Sequence, residues 1–115
     1  MTLKILHNPR CSKSRQTLQI LKDKGLEPTI IEYLTSPITE DELVEILGKL
    51  NIEPRELLRK GEKIYKELGL SNLNMDDKQL LGHMIANPIL IERPIVISEK
   101  GARIGRPPES VLEIL

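Results

Sequence analysis

The chain has 115 residues, with 17 basic and 17 acidic side chains and a formal net charge of zero, so neither nucleic acid nor a membrane surface is an expected partner. It has no Trp and no Phe, which removes an aromatic platform for stacked bases, and a single Cys, which excludes an internal disulfide and fits a reducing cytoplasm. The length suits one domain with one core, residues 1–6 are too short for the apolar core of a secretory signal, and no stretch reaches transmembrane length.

In chain order, Leu3 to Leu6 reads as a first strand. Ser12 to about Lys24 reads as a helix closed by Gly25. Thr29 to Leu34 is rich in β-formers and reads as a second strand, parallel to the first by the right-handed crossover rule. Thr39 and Glu42 form a capping-box pair ahead of Leu43, Ile46, Leu47 and Leu50 at helical spacing. Pro54 to Leu58 and Lys63 to Leu68 read as short helical pieces, the second ended by Gly69. Asp76 and Asp77 open a helix that stops at Asn87-Pro88. Residues 39–87 therefore read as a helical insertion. Ile95 to Ser98 and Ala102 to Ile104 flank a short Gly-containing loop and predict a hairpin. Pro107-Pro108 starts a last helix, Glu109 to Leu115. The fold class is α/β. A βαβ unit, a helical insertion and a ββα unit follow in the order of a thioredoxin-like, glutaredoxin-like fold.

The single cysteine stands in the first strand-to-helix turn, His7-Asn8-Pro9-Arg10-Cys11-Ser12-Lys13-Ser14-Arg15. Unsatisfied N–H groups and the helix dipole favour a thiolate there, and Arg10, Lys13 and Arg15 add positive charge. A cysteine used for packing has apolar neighbours instead. Cys11 is the candidate nucleophile. Ser14, three residues on, either donates its hydroxyl to the thiolate or caps the helix. His7 either aids proton transfer or packs, and His83 reads as structural or surface. One Cys and two distant His make a metal site unexpected.

The hairpin carries two Arg-Pro pairs, Arg93-Pro94 and Arg106-Pro107. If Ser98 pairs with Gly101 or Ala102, Arg93 falls opposite Arg106 or Pro107 at the open end. A residue before proline is held extended. Two facing arginines repel unless an anion lies between them, and a guanidinium fork suits a tetrahedral oxyanion. The other reading has both solvated or paired with Glu92 and Glu109. Arg59, in Leu57-Leu58-Arg59-Lys60, reads as the polar face of a helix.

These segments together resemble the glutaredoxin-coupled arsenate reductase family, ArsC type, and within it the YfgD-like branch. The resemblance rests on His7-Asn8-Pro9 before Cys11, Ser14-Arg15 after it, Leu57-Leu58-Arg59-Lys60, Asn87-Pro88-Ile89-Leu90, Glu92-Arg93-Pro94-Ile95-Val96 and Arg106-Pro107-Pro108. It implies Cys11 as nucleophile, Arg59, Arg93 and Arg106 around the oxyanion, and His7, Ser14, Arg15 and Pro94 in support, with the Arg93–Pro94 bond cis. It also implies glutathione as co-substrate, glutaredoxin as partner, arsenate or a similar oxyanion as substrate, and no bound cofactor. A monomer is expected. The chain departs from well-studied members in having Ser12-Lys13 where they have Gly-Thr, and Arg10 before the cysteine.

Other activities are distinguishable on the same residues. A phosphatase-type arsenate reductase needs C-x5-R, and position 17 is Thr17. A general glutathione-dependent thiol oxidoreductase would need Cys11 but no oxyanion selectivity. An Spx-like regulator that binds RNA polymerase would switch through C-x-x-C, and Ser14 stands in place of the second cysteine.

Overall fold

The computed structural model describes residues 3–115, which divide into two compact units. One runs up to Ser36 and resumes at Arg93–Leu115, and the other is Pro37–Glu92.

The first unit is built on a four-stranded sheet in the order β2-β1-β3-β4. Strand β1 (Lys4–Leu6) pairs parallel with β2 (Thr29–Ile31) and antiparallel with β3 (Ile95–Ser98). Helix α1 (Ser12–Asp23) makes the crossover between the parallel strands. It ends as the glycine predicts, with Gly25 at φ 74°. Strand β4 (Gly101–Ile104) folds back on β3 with Ser98 opposite Gly101 and Ile95 opposite Ile104. This is the sheet of a thioredoxin-like fold. Leu3, Ile5, Leu21, Val96, Val111 and Ile114 form its core between sheet, α1 and the C-terminal segment.

Strand β2 and the last helix depart from the sequence expectation. Strand β2 stops at Ile31 rather than Leu34. The carbonyl of Glu32 accepts from the main-chain N–H of Thr35 and Ser36 and from the Thr35 hydroxyl, which turns the chain. The last helix, Pro108–Ile114, is a 3-10 helix. Its end is fixed to the hairpin by the Ser98 hydroxyl, which donates to the Ile114 carbonyl at 2.7 Å.

The second unit holds α2 (Glu40–Leu50), α3 (Lys63–Glu67) and α4 (Asp77–Ala86), with 3-10 turns at Pro54–Leu57 and Pro88–Leu90. The Thr39/Glu42 capping box forms as read, and Asp76 with Gln79 makes a second one on α4. Leu43, Ile46, Leu47, Leu57, Leu80, Leu81, Met84 and Leu90 are buried. An antiparallel bridge joins Leu58, in the middle of the unit, to Ile91 at its C-terminal end.

Beyond Ile95 the hairpin keeps its register. Gly105 N–H donates to the Pro94 carbonyl at 2.9 Å. A methyl group on Gly105 would collide with the Thr17 side chain on α1 and with the Pro94 ring. The open end of the hairpin therefore lies against the first turns of α1 because position 105 has no side chain. We expect Gly105→Ala to destabilise the fold by about 1–3 kcal/mol through overpacking. Urea unfolding followed by circular dichroism checks this, and an unchanged midpoint would mean that the contact yields freely.

Candidate active site

Cys11 is the N-cap of α1, with extended backbone at φ −92° and ψ 123°. Its carbonyl accepts from Arg15 N–H at 3.0 Å, which starts the helix. Lys13 and Ser14 occupy the second and third helical positions, whose free N–H groups face the N-cap side chain. The sulfur makes no conventional capping hydrogen bond, yet both N–H groups act on it.

The turn before the cysteine is organised by Asn8. Its side-chain oxygen accepts from Arg10 N–H at 3.0 Å, and its carbonyl accepts from Cys11 N–H at 3.0 Å. Its own N–H donates to the Ser14 hydroxyl at 3.0 Å. That hydroxyl also lies 2.6 Å from His7 Nδ1. His7, Asn8 and Ser14 are all buried. The Arg15 guanidinium donates to the Pro9 carbonyl at 2.9 Å and closes the turn from outside.

The arginines come from the hairpin. Arg93 and Arg106 stand opposite one another, in continuation of the ladder. Both Arg-Pro bonds are cis. Arg106 Nε donates to the Arg93 carbonyl at 2.9 Å, and an Arg106 terminal nitrogen reaches the Cys11 sulfur at 3.7 Å. Arg93 also hydrogen-bonds the sulfur. Its Nε and Nη1 are buried and have no hydrogen-bond partner among the described residues.

Partial burial alone pushes the Cys11 thiol up. The Ser14 N–H, the Arg93 hydrogen bond and charge, and the Lys13 N–H together outweigh it, so the thiol lies below its ordinary value. Arg106 is exposed, and solvent screens its charge at the sulfur. Burial, the largest influence on His7, lowers it; Lys22 and Arg15 add to the lowering while Glu32 opposes it. The His7 imidazole is accordingly neutral at physiological pH.

The match to known proteins covers nearly the whole chain. The ArsC family model matches residues 6–114. A protein named arsenate reductase from Yersinia enterocolitica is 50% identical over 96% of this chain and 79% of its own length. The protein YfgD of Escherichia coli is also 50% identical, over 98% of this chain and 96% of its own. A solved structure named arsenate reductase from Vibrio cholerae superposes with a TM-score of 0.97 at 46% identity, covering 100% of this chain and 98% of that one.

The chain belongs to the ArsC family.

Within this ArsC-family chain, the structure gathers Cys11, Ser14, Arg93 and Arg106 in one unit, with Pro94 buried beside Arg93 and His7 and Arg15 bracing the turn. Ser14 faces the sulfur through its main-chain N–H, while its hydroxyl serves His7 and Asn8. Arg59 lies in the other unit. It follows the 3-10 turn in extended chain rather than on a helix, with its N–H donating to the Leu90 carbonyl at 2.7 Å. Its guanidinium is 3.3 Å from Glu62 and 3.9 Å from Glu92. His83 lies in the last turn of α4. Among the described residues no cluster of His, Cys, Asp and Glu could hold a metal, and no helix is long and apolar enough to cross a membrane.

Sequence reasoning missed Asn8, Thr17 and Gly105 as contributors. Asn before Pro is a turn-forming signal that points to Asn8. Nothing in the sequence reports the close approach at Gly105, because it joins distant segments.

A lowered thiol has a definite sign in its pH dependence. The folded state binds fewer protons than the unfolded state between their two midpoints. The resulting stabilisation is complete above the unfolded thiol value and is lost as pH falls through the folded one. Arg93→Ala removes a hydrogen bond and a charge from the sulfur, so the pH profile of Cys11 alkylation by iodoacetamide should move to higher pH. A folded variant with the parent profile would detach Arg93 from the thiolate.

Proposed function

We propose that this chain is an arsenate reductase, with Cys11 as nucleophile and arginines as the oxyanion site. The observation that carries this reading is the position of the Cys11 sulfur, between the N-terminus of α1 and the guanidinium groups of Arg93 and Arg106. A thiolate in such a place can attack an electrophilic centre. The same cations can hold the negative oxygens around that centre, and a guanidinium fork matches a tetrahedral oxyanion. The names of the relatives in the ArsC family agree with this reading.

In the proposed reaction the Cys11 thiolate attacks arsenic(V), an arsenic–sulfur bond forms, and one arsenate oxygen leaves as water. Arg93 and Arg106 hold the remaining oxygens. Glutathione then attacks the Cys11 sulfur. A disulfide forms, the arsenic–sulfur bond breaks, and its electron pair reduces arsenic to arsenite. A glutaredoxin thiolate takes the glutathione from Cys11 and releases the enzyme thiolate. The need for external thiols follows from the residues, since Ser14 stands where a resolving cysteine would be and the chain has no other. His7, Ser14, Arg15 and Pro94 keep the turn and the hairpin in place. We read the chain as one ArsC-like domain acting as a cytoplasmic monomer, with no bound cofactor and no nucleic-acid or membrane partner.

The test is NADPH consumption coupled through glutathione reductase, glutaredoxin and glutathione, with arsenate as substrate. Cys11→Ser should abolish turnover, and Arg93→Ala should lower it by about 10²-fold or more if the guanidinium stabilises developing charge. If the parent shows no arsenate turnover while Cys11 is still glutathionylated and then freed by glutaredoxin, the chain is a general thiol oxidoreductase and the arsenate assignment fails.

A further inference from the structure

Thr17 is fully buried one turn into α1, and its hydroxyl donates to the Lys13 carbonyl at 2.8 Å. That carbonyl belongs to the same peptide group as the Ser14 N–H. Cys11 is the N-cap, so the Ser14 N–H is the third-position donor that an N-cap side chain faces. A peptide group whose oxygen accepts an additional hydrogen bond becomes more polarised and a stronger donor at its nitrogen. The Thr17 hydroxyl is thus bonded to one end of the Lys13–Ser14 peptide, whose other end, the Ser14 N–H, stands at the helix position that faces the Cys11 side chain.

We propose that Thr17 is a positioning residue for Cys11, whose hydroxyl strengthens the Ser14 N–H as a donor to the sulfur through the Lys13 carbonyl. The proposal rests on Cys11 being the reactive thiol and adds to that reading a residue that touches neither sulfur nor substrate. A helical threonine often bonds the carbonyl four residues back with no further consequence. Here that carbonyl is the far end of the peptide whose N–H stands at the N3 position relative to the Cys11 N-cap. Thr17 is also the side chain against which Gly105 packs, its hydroxyl oxygen nearest, so a substitution that keeps the branched shape is needed to remove the bond without opening that contact. The charged groups around Cys11 are Arg93 and Arg106 from the hairpin and Arg10, Lys13 and Arg15 from its own turn and helix, with neutral His7 on the preceding loop. None of them changes when the hydroxyl is removed.

The experiment compares Thr17→Val, which keeps the branched shape without the hydroxyl, with Thr17→Ser, which keeps the hydroxyl without the methyl. The readout is the pH profile of Cys11 alkylation by iodoacetamide, with thiolate absorbance at 240 nm as a second signal. It needs neither arsenate nor glutathione. Thr17→Val should slow alkylation about two- to threefold at a pH below the midpoint, because cooperative strengthening is a fraction of one charge-assisted hydrogen bond. The midpoint should rise by about 0.3 to 0.5 in pH. Thr17→Ser should keep the parent profile. A parent-like profile in folded Thr17→Val overturns the proposal, and so does an equal displacement in Thr17→Ser, which would assign the effect to packing. If Thr17→Val does not fold, Thr17→Ala takes its place against Thr17→Ser under the same two criteria. Arsenate turnover by the parent is measured separately, so failure of the arsenate reading leaves the alkylation result interpretable.

Discussion

A thiol shifted toward its thiolate at a partly buried position is the constraint around which the cysteine turn and the hairpin end are arranged. Burial alone would keep Cys11 protonated. The opposing contributions come from two separate parts of the chain, the first turn of α1 and Arg93 at the open end of the β3–β4 hairpin. Neither part carries the chemistry alone. A helix N-terminus without a cation lowers a thiol modestly, and a cation without a fixed approach is screened by water. The sheet order β2-β1-β3-β4 brings the two together, since β1 leads into the cysteine turn and its neighbour β3 begins just after Arg93.

Each group near the sulfur is itself held by another contact. The Arg106 guanidinium is tied to the Arg93 carbonyl, which keeps one arginine in register with the other across the hairpin. Ser14 is tied to His7 and Asn8, which fixes the turn to the helix whose N–H groups face the sulfur. A neutral His7 suits this role, because a charged imidazole in the same buried place would add desolvation cost and oppose the nearby cations. The two arginines would repel if both were free. Anchoring one on the other's carbonyl holds both guanidinium groups beside the Cys11 sulfur. The Nε and Nη1 of Arg93 are buried there without a hydrogen-bond partner among the described residues.

Much of this was legible in the sequence wherever the signal was local. The βαβ unit, both glycine-closed helix ends and the Thr39/Glu42 capping box follow from spacing and cap chemistry. The hairpin register placed Arg93 opposite Arg106 because an antiparallel ladder, once its turn is set, fixes every later pair. The end of β2 was misread because Tyr33 and Leu34 are good strand formers, and the Thr35 hydroxyl bond that turns the chain there competes with them. The final segment carries helical periodicity, but periodicity does not distinguish a 3-10 from an α-helix in seven residues. Arg59 was assigned to a helix because Pro54 starts one; the turn ends at Leu57, where the Leu58–Ile91 bridge draws the chain into extended form. The close packing of Gly105 on Thr17 could not be read at all, since it depends on a contact between residues far apart in sequence.

The charged residues of the cysteine turn sit where this architecture can accommodate them. The Arg10 and Lys13 side chains are both exposed. Lys13 acts on the sulfur through its main-chain N–H, which any residue but proline supplies at that position. The Arg10 N–H is taken by Asn8, which asks nothing of the side chain. The turn therefore takes its geometry from main-chain contacts while its outer surface is positive. Exposed charges of this kind alter the approach of a charged partner more than the state of the thiol they surround. The chain thus separates two properties that are often joined at a reactive cysteine. The first turn of α1 and Arg93 set the state of the sulfur, buried His7, Asn8 and Ser14 hold that turn in place, and the exposed residues beside it give the turn its positive outer surface.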